Sequence, residues 1–247
     1  CRVPMFSRAC ETAESFKLLR RTMILAIDGP AGAGKSTVSR EVAQQLGFAY
    51  INTGAMYRAV ALVAHEHDFD ENDEADLVRL GAQLPLRFGA GGTQIFVGQR
   101  EVSGQIYSPE IGALTSKIAA IAPLRAQIVA RQREIALQAQ AEVGGAVLEG
   151  RDIQTVVFPD ADLKIFLTAS DEERARRRLQ QWREKGDEAH TFNDALRDVQ
   201  ERDARDSSRD ASPLKPADDG VYLLCDELSA AQVIEKIVSL ARENGAK

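Results

Sequence analysis

The chain has 247 residues, long enough for one large domain or a core with insertions, and for a substantial buried interior. Its 44% hydrophobic and 28% charged residues are ordinary globular composition. The net charge of −6 argues against a broad nucleic-acid-binding surface, so any basic function has to be local. No apolar run approaches the length of a membrane span. Cys1, Cys10 and Cys225 form neither a metal-ligand spacing nor a disulfide framework, and a reducing cytoplasm is their simplest setting.

Residues 1–22 mix Arg8, Glu11, Glu14, Lys17, Arg20 and Arg21 with a few apolar residues and lack the apolar core of a signal peptide. They read as an N-terminal extension of unknown role, either upstream sequence, a cloning remnant or a frayed helix, because Met23 opens a strand directly. The run Met23-Ile24-Leu25-Ala26-Ile27-Asp28 has the look of a buried strand. It leads into Gly29-Pro30-Ala31-Gly32-Ala33-Gly34-Lys35-Ser36, the phosphate-binding pattern G-x-x-x-x-G-K-[ST]. Val38, Val42 and Leu46 then recur every four residues, as a helix face requires. Gly29, Gly32 and Gly34 carry no side chain to block a polyphosphate. The helix start adds its dipole, Lys35 reaches terminal phosphates, and the Ser36 hydroxyl suits Mg²⁺. Strand, loop and helix together are the context that gives the motif its meaning.

A second strand is expected at 48–51, ended by Asn52-Thr53-Gly54, which cap a helix from about Ala55. Tyr57 and Arg58 fall in its first turns, just beyond the carboxyl end of a strand, where open α/β sheets place ligand contacts. His65 and His67 point different ways on a helix and read as surface residues. A helix is expected at 73–82. Short strand-like runs at 84–88, 94–97 and 100–102, separated by glycine-rich turns, predict a small antiparallel meander. Helices follow at 109–120 and 123–141.

The run 146–149 is the next buried strand and ends at Gly150-Arg151-Asp152; 163–167 is another. Ser170 with Glu173 predicts a capping box for a helix carrying Arg174, Arg176, Arg177 and Arg178. Gly186-Asp187 breaks that helix before a second charged one at 191–208. If the second helix continued to Arg209, then Arg202, Asp206 and Arg209 would share a face, as Arg174 and Arg178 do. Taken alone, such arginines read as a solvated face paired with Glu172, Glu173, Glu201 and Asp203. Pro213 and Pro216 mark a linker, 221–224 a last strand, and Ser229 the cap of a final helix. The whole predicts an α/β fold with a five-stranded parallel sheet flanked by helices and ligands beyond its carboxyl ends.

Five separated stretches coincide: Asp28 through Thr37, Thr53 through Arg58, Gly150 through Ile153, Thr155 through Ala161, and Glu201-Arg202-Asp203-x-Arg205-Asp206. Together they closely resemble the bacterial cytidylate kinase family, from about residue 23 to the end. The resemblance implies an enzyme that transfers phosphate from ATP to CMP or dCMP with Mg²⁺. Its expected partners are small-molecule nucleotides; the charge and the lack of a long apolar run predict no nucleic-acid or membrane partner, the cysteines a cytoplasmic setting, and a monomer is the default. It also implies a core (23–52, 146–172, 205–247), a monophosphate-binding region (53–145, with the meander at 84–103) and a helical lid (about 173–204).

By the same resemblance Ser116, Arg125 and Asp152 hold the base, and Asp206 with Arg202 the ribose. Arg58, Arg151 and Arg209 hold phosphate, and Arg177 and Arg178 are lid arginines. Thr53 supplies a hydroxyl where the family often has Ser, and Tyr57 lies beside Arg58 in the substrate set. The catalytic set is Lys35, Arg151, Arg178 and Arg209. The loop residues Gly29 to Thr37, with Arg177, bind ATP. Gln154 stands where the family usually has Gly. A related kinase with another acceptor, or a slowly hydrolysing nucleotide switch, are the other readings. Asp28 is a further candidate for the outer sphere of Mg²⁺.

Overall fold

The computed structural model describes residues 22–184, 186–209 and 212–246. The expected extension up to residue 21, with Cys1 and Cys10, lies outside the described residues. The elements in order are β1 (Met23–Asp28), α1 (Lys35–Leu46), β2 (Ala49–Asn52), α2 (Thr53–Glu66) and α3 (Glu74–Gln83). Next come β3 (Leu86–Phe88), β4 (Ile95–Val97), β5 (Arg100–Glu101), α4 (Pro109–Ile118) and α5 (Ala122–Val143). The chain closes with β6 (Gly145–Gly150), β7 (Leu163–Thr168), α6 (Asp171–Glu184), α7 (Phe192–Ser207), β8 (Val221–Leu224) and α8 (Ala230–Glu243).

Strands β2-β6-β1-β7-β8 form one parallel sheet, and β3-β4-β5 a separate antiparallel one. The expected fold class and all eight strands are therefore present. β1 lies at the centre of the larger sheet, with Met23 opposite Gly145 of β6 and Leu25 opposite Leu163 of β7. It is buried along its whole length, which is why it reads as a continuous apolar run rather than an alternating one.

Successive β1 side chains serve opposite faces of the sheet. Leu25 and Ile27 pack with Val38 and Val42 of α1 and with Ile237 of α8. Ile24 and Ala26 pack on the other face with Val129 and Ala136 of α5. A second core joins Met56, Leu77, Ile95 and Leu124 inside the stretch between β2 and β6. Helix α5 serves both cores, Leu124 and Ile128 in one and Val129 and Ala136 in the other, and so fastens the inserted region to the sheet. The meander turn is seated just as closely. A Cβ on Gly92 would stand 1.8 Å from the Tyr50 carbonyl oxygen of β2, so only glycine fits there.

Three local expectations differ. The capping box at Ser170 is half formed. Its Oγ accepts from Glu173 N at 3.3 Å, but its own N–H and O–H go to Asp226 at 2.8 and 2.6 Å, while Glu173 turns to Arg177. The loop after β8 brings Asp226 across the sheet end and displaces the local partner. Helix α7 stops at Ser207, so Arg209 lies beyond it. Gln154 requires no glycine-like backbone, since it is not among the positive-φ residues. It sits in a π-turn at Ile153–Val157, fully buried, and its Oε1 accepts from Ala217 N at 3.0 Å.

Candidate active site

β1 ends in the loop 29–34, and Gly34 forms the N-cap of α1. The loop passes close against β7. A Cβ on Gly29, at φ 154°, would lie 1.9 Å from the Leu167 carbonyl oxygen. With no side chain cap at Gly34, the first-turn amides of α1 keep their donors for a ligand. Lys35 is 7% exposed and curls back to donate to Pro30 O at 2.7 Å. Burial, and then Arg151, push its ammonium well below the usual lysine range. The Ala33 carbonyl accepts from Arg177 Nη1 at 3.2 Å, and Arg177 also reaches Cys225 O at 3.4 Å.

A cleft of about 300 Å³ opens over this loop, beyond the carboxyl ends of the strands. Ala31, Gly32, Gly34, Lys35, Ser36 and Thr37 line it. So do Thr53, Tyr57, Arg58, Ser116, Arg125, Arg151, Asp152, Arg178, Arg202, Asp206 and Arg209. The structure thus gathers all ten expected substrate residues and all four expected catalytic residues around one space. Of the expected ATP set, Gly29, Pro30, Ala33 and Arg177 stand behind the lining.

At one end, Arg125 and Asp152 are both buried and pair at 2.6 Å, while Arg125 Nη1 donates to Ala119 O at 3.1 Å and its guanidinium lies 5.5 Å from the Tyr57 ring centre. Burial alone would lower Arg125, but Tyr57 and Asp152 outweigh it and raise its pKa. Burial pushes the Tyr57 phenol up to about 12. Ser116 Oγ makes a long bond to Gly112 O, 3.3 Å, one turn back in α4.

In the middle, Asp206 accepts from Arg151 Nε at 2.8 Å and from Arg209. Burial raises the Asp206 carboxyl, yet Arg151 and Arg209 outweigh it and hold it below the ordinary range. Arg209 reaches Asp206 from beyond the helix end, so the two meet although the helix expected to place them on one face has already stopped. On the lid side Asp198 of α7 takes Arg178 Nε at 2.9 Å and stands 3.9 Å from Arg202. Burial, then Arg151, bring Arg202 down to about 10. Seven cationic side chains face four acidic ones in the lining, and burial is the main cause that lowers Arg58, Arg202 and Arg209. A chain of net charge −6 has concentrated positive potential in one cleft, which suits a polyanionic ligand.

Glu149, Asp198, Asn52 and Tyr107 are among the lining residues that the sequence did not mark as part of the site. Glu149 ends β6 beside the loop. Its Oε1 accepts from Ser36 Oγ and from Tyr50 OH, both at 2.8 Å, and its Oε2 is buried without a partner. Burial, with Glu149 alongside, drives the Tyr50 phenol far upward. A carboxylate closing an apolar strand two residues before Arg151 was the available signal. Thr53 Oγ1 donates to the Glu149 carbonyl at 2.6 Å. Asp28 does not line the cleft. It is buried on the α5 side and accepts from Gln154 N at 2.8 Å, so Glu149 occupies the place beside Ser36 that Asp28 was expected to approach. A hydroxyl and a carboxylate with a spare oxygen are hard donors of the kind Mg²⁺ takes when phosphates and water complete its shell.

A phosphate loop at the centre of a parallel sheet, with a cationic cleft beyond the strand ends, defines an α/β protein of the P-loop class. The family model described as cytidylate kinase matches residues 25–243, and the chain belongs to that family. A cytidylate kinase from Geobacter sulfurreducens is 42% identical over 226 residues, covering 91% of this chain and 94% of its own length. A bifunctional pantoate ligase/cytidylate kinase from Synechococcus sp. strain RCC307 is 44% identical over 229 residues, 92% of this chain. This chain spans only 44% of that relative's length. Among solved structures, shikimate kinase from Acinetobacter baumannii aligns over 94% of this chain and 99% of its own at 16% identity and TM-score 0.45. That likeness is too loose to bear on function.

Proposed function

We propose that the protein transfers the γ-phosphoryl group of ATP to CMP and dCMP, giving ADP and CDP or dCDP. An oxygen of the acceptor's phosphate forms the new bond to phosphorus, and the bond from that phosphorus to the bridging oxygen of ADP breaks. The observation that carries this reading is the buried Arg125–Asp152 pair at the end of a cationic cleft that begins at the phosphate loop. A carboxylate accepts from the cytosine amino group, a guanidinium donates to its ring nitrogen or carbonyl, and uracil mismatches that order.

In this reading Lys35 and the α1 amides hold the donor phosphates. Arg58, Arg151 and Arg209 hold the acceptor phosphate, and Asp206 with Arg202 orients the sugar. Arg178, carried on the lid, offsets charge on the transferring group, because catalysis of this transfer is mostly positioning and electrostatics. Ser36 and Glu149 would hold Mg²⁺, which when bound neutralises phosphate charge. Residues 53–145 act as the acceptor region and about 173–204 as a lid that excludes water. The buried free thiol of Cys225 fits a reducing cytoplasm. Among the described residues no helix is long and apolar enough to cross a membrane.

Coupled turnover with CMP, dCMP, UMP, AMP and no acceptor tests the reading. Turnover of CMP and dCMP well above the others supports it. A preference for another acceptor identifies a related kinase, and equal rates with no acceptor identify a hydrolysing switch.

A further inference from the structure

Tyr107 has no place in the assignments above. It lies in the short connection between β5 and α4, with its backbone fixed on both sides. Ile106 is buried in the core of the inserted region, and Ser108 caps α4 by accepting from Ile111 N at 3.3 Å. Between these anchors the Tyr107 side chain is 48% exposed. Of the five large hydrophobic side chains most exposed among the described residues, it alone lines the cleft.

Both ends of the side chain are engaged in a way that leaves donors free. The Arg58 guanidinium sits 5.2 Å from the ring centre. Arg58 Nη1 donates to Ile106 O at 2.9 Å, the carbonyl just before Tyr107. Arg58 is also the one arginine of the cleft lining with no carboxylate partner among the described residues. Arg125, Arg151, Arg178, Arg202 and Arg209 each have one. The Tyr107 hydroxyl accepts from Asn52 Nδ2 at 3.4 Å, and among the described residues its own proton goes to no acceptor. Asn52 is itself held, since its Oδ1 caps α2 by accepting from Ala55 N at 3.0 Å. A phenol can donate as well as accept, so a free O–H beside an uncompensated guanidinium is a site for an anionic oxygen.

We propose that Tyr107 is a ligand of the acceptor's phosphate group: its hydroxyl donates to a phosphate oxygen, and its ring face holds Arg58 in position to bind the same group. This rests on the acceptor reading above and adds a residue to it. The hydroxyl and the ring make separable contributions. Tyr107→Phe removes the first and keeps the second, whereas Tyr107→Ala removes both. Because the side chain is exposed, neither change leaves a cavity in the core.

The test is calorimetric titration of wild type, Tyr107→Phe and Tyr107→Ala with CMP, with cytidine and with inorganic phosphate, alongside steady-state kinetics. Tyr107→Phe should weaken CMP and inorganic phosphate by roughly tenfold and leave cytidine and the KM for ATP unchanged. Tyr107→Ala should weaken CMP further, and that extra loss should vanish in an Arg58→Ala background, where no guanidinium remains to be positioned. Wild-type affinity for CMP and phosphate in Tyr107→Phe overturns the proposal, as does an equal loss for CMP and cytidine. If wild type binds phosphate but neither binds nor turns over CMP, the acceptor reading fails instead. The phosphate titration of Tyr107→Phe still decides the role of the hydroxyl.

Discussion

Arg174 and Asp203 hold the Ala31 peptide from both sides. Arg174 Nη1 donates to Ala31 O at 3.1 Å, Asp203 Oδ1 accepts from Ala31 N at 3.3 Å, and the two side chains pair with each other. Arg174, 4% exposed, also donates to Ala169 O at 3.0 Å and to Asp171. One buried guanidinium therefore ties the phosphate loop to the end of β7 and to both long charged helices.

Removing that guanidinium takes the donor from the Ala31 and Ala169 carbonyls and the cation from Asp203 and Asp171. Arg174→Met should cost about 3 kcal/mol, near the low end for breaking a buried pair because Asp203 keeps some access to water. Urea unfolding should show a lower midpoint at unchanged slope, and Arg174→Lys should recover only part of the loss, since an ammonium lacks the fork. An unchanged midpoint in Arg174→Met would contradict the structural role.

Lys35→Met should fold and bind CMP but turn over at least about a hundredfold more slowly, because the charge opposite the transferring group is gone. Its fold is spared, since the lysine makes one hydrogen bond, to Pro30 O. Near-normal kcat in the purified variant would remove Lys35 from the reaction.

Arg178 pairs with Asp198 and lies 5.0 Å from the Trp182 ring centre, both on the charged helices rather than the sheet. Its work should belong to the closed state, so Arg178→Ala should lower kcat far more than it weakens CMP. Calorimetry and kinetics on one preparation separate the two. Equal losses in kcat and in CMP affinity count against a lid role.

Base choice and phosphate binding should come apart. Asp152→Asn should lower kcat/KM for CMP and narrow the CMP-over-UMP ratio by roughly ten- to a hundredfold, because an amide can donate to uracil. Arg58→Ala should weaken both substrates alike and leave the ratio alone. The reverse pattern, a ratio moved by Arg58→Ala and not by Asp152→Asn, would mean the contacts have been divided wrongly.

Burial raises the Asp28 carboxyl to about 6, against 3.8 for a free side chain. The folded state therefore holds this proton more tightly than the unfolded chain. The stabilisation is full below about 4 and is lost as pH rises through about 6, an effect of roughly 3 kcal/mol. Asp28→Asn keeps an oxygen for Gln154 N. It should unfold at higher urea than wild type at pH 7.5, with the gap closing near pH 4. A gap that does not change with pH would show that Asp28 holds its proton equally well in the folded and unfolded states.

The order of strands and helices was legible because each depends on local patterns. A buried strand is an apolar run, a glycine-rich loop names its own geometry, and Ser229 and Thr191 announce their helices. The side-chain partnerships were not, because they join residues far apart in sequence. Ser36 meets Glu149 across 113 positions, and Arg174 meets Ala31 across 143. No periodicity reports such contacts, so Glu149 read as the end of a strand and Arg174 as a surface charge. Asp226 took the place expected of Glu173 at Ser170 for the same reason. Arg209 shows the converse. It stands beside Asp206, as a shared helix face would have put it, although the helix has ended.

The central position of β1 has a consequence for synthesis. Its neighbours begin at Gly145 and Leu163, so this fully buried strand leaves the ribosome about 120 residues before either partner exists. At roughly 5–20 residues per second that interval is about 6–24 s. The intervening stretch has an apolar core of its own, formed between Ala55 and Ile128, and can condense while β1 waits. Nascent chains stalled near residue 140 should therefore expose β1 to chaperones and proteases, and chains stalled well past residue 170 should not.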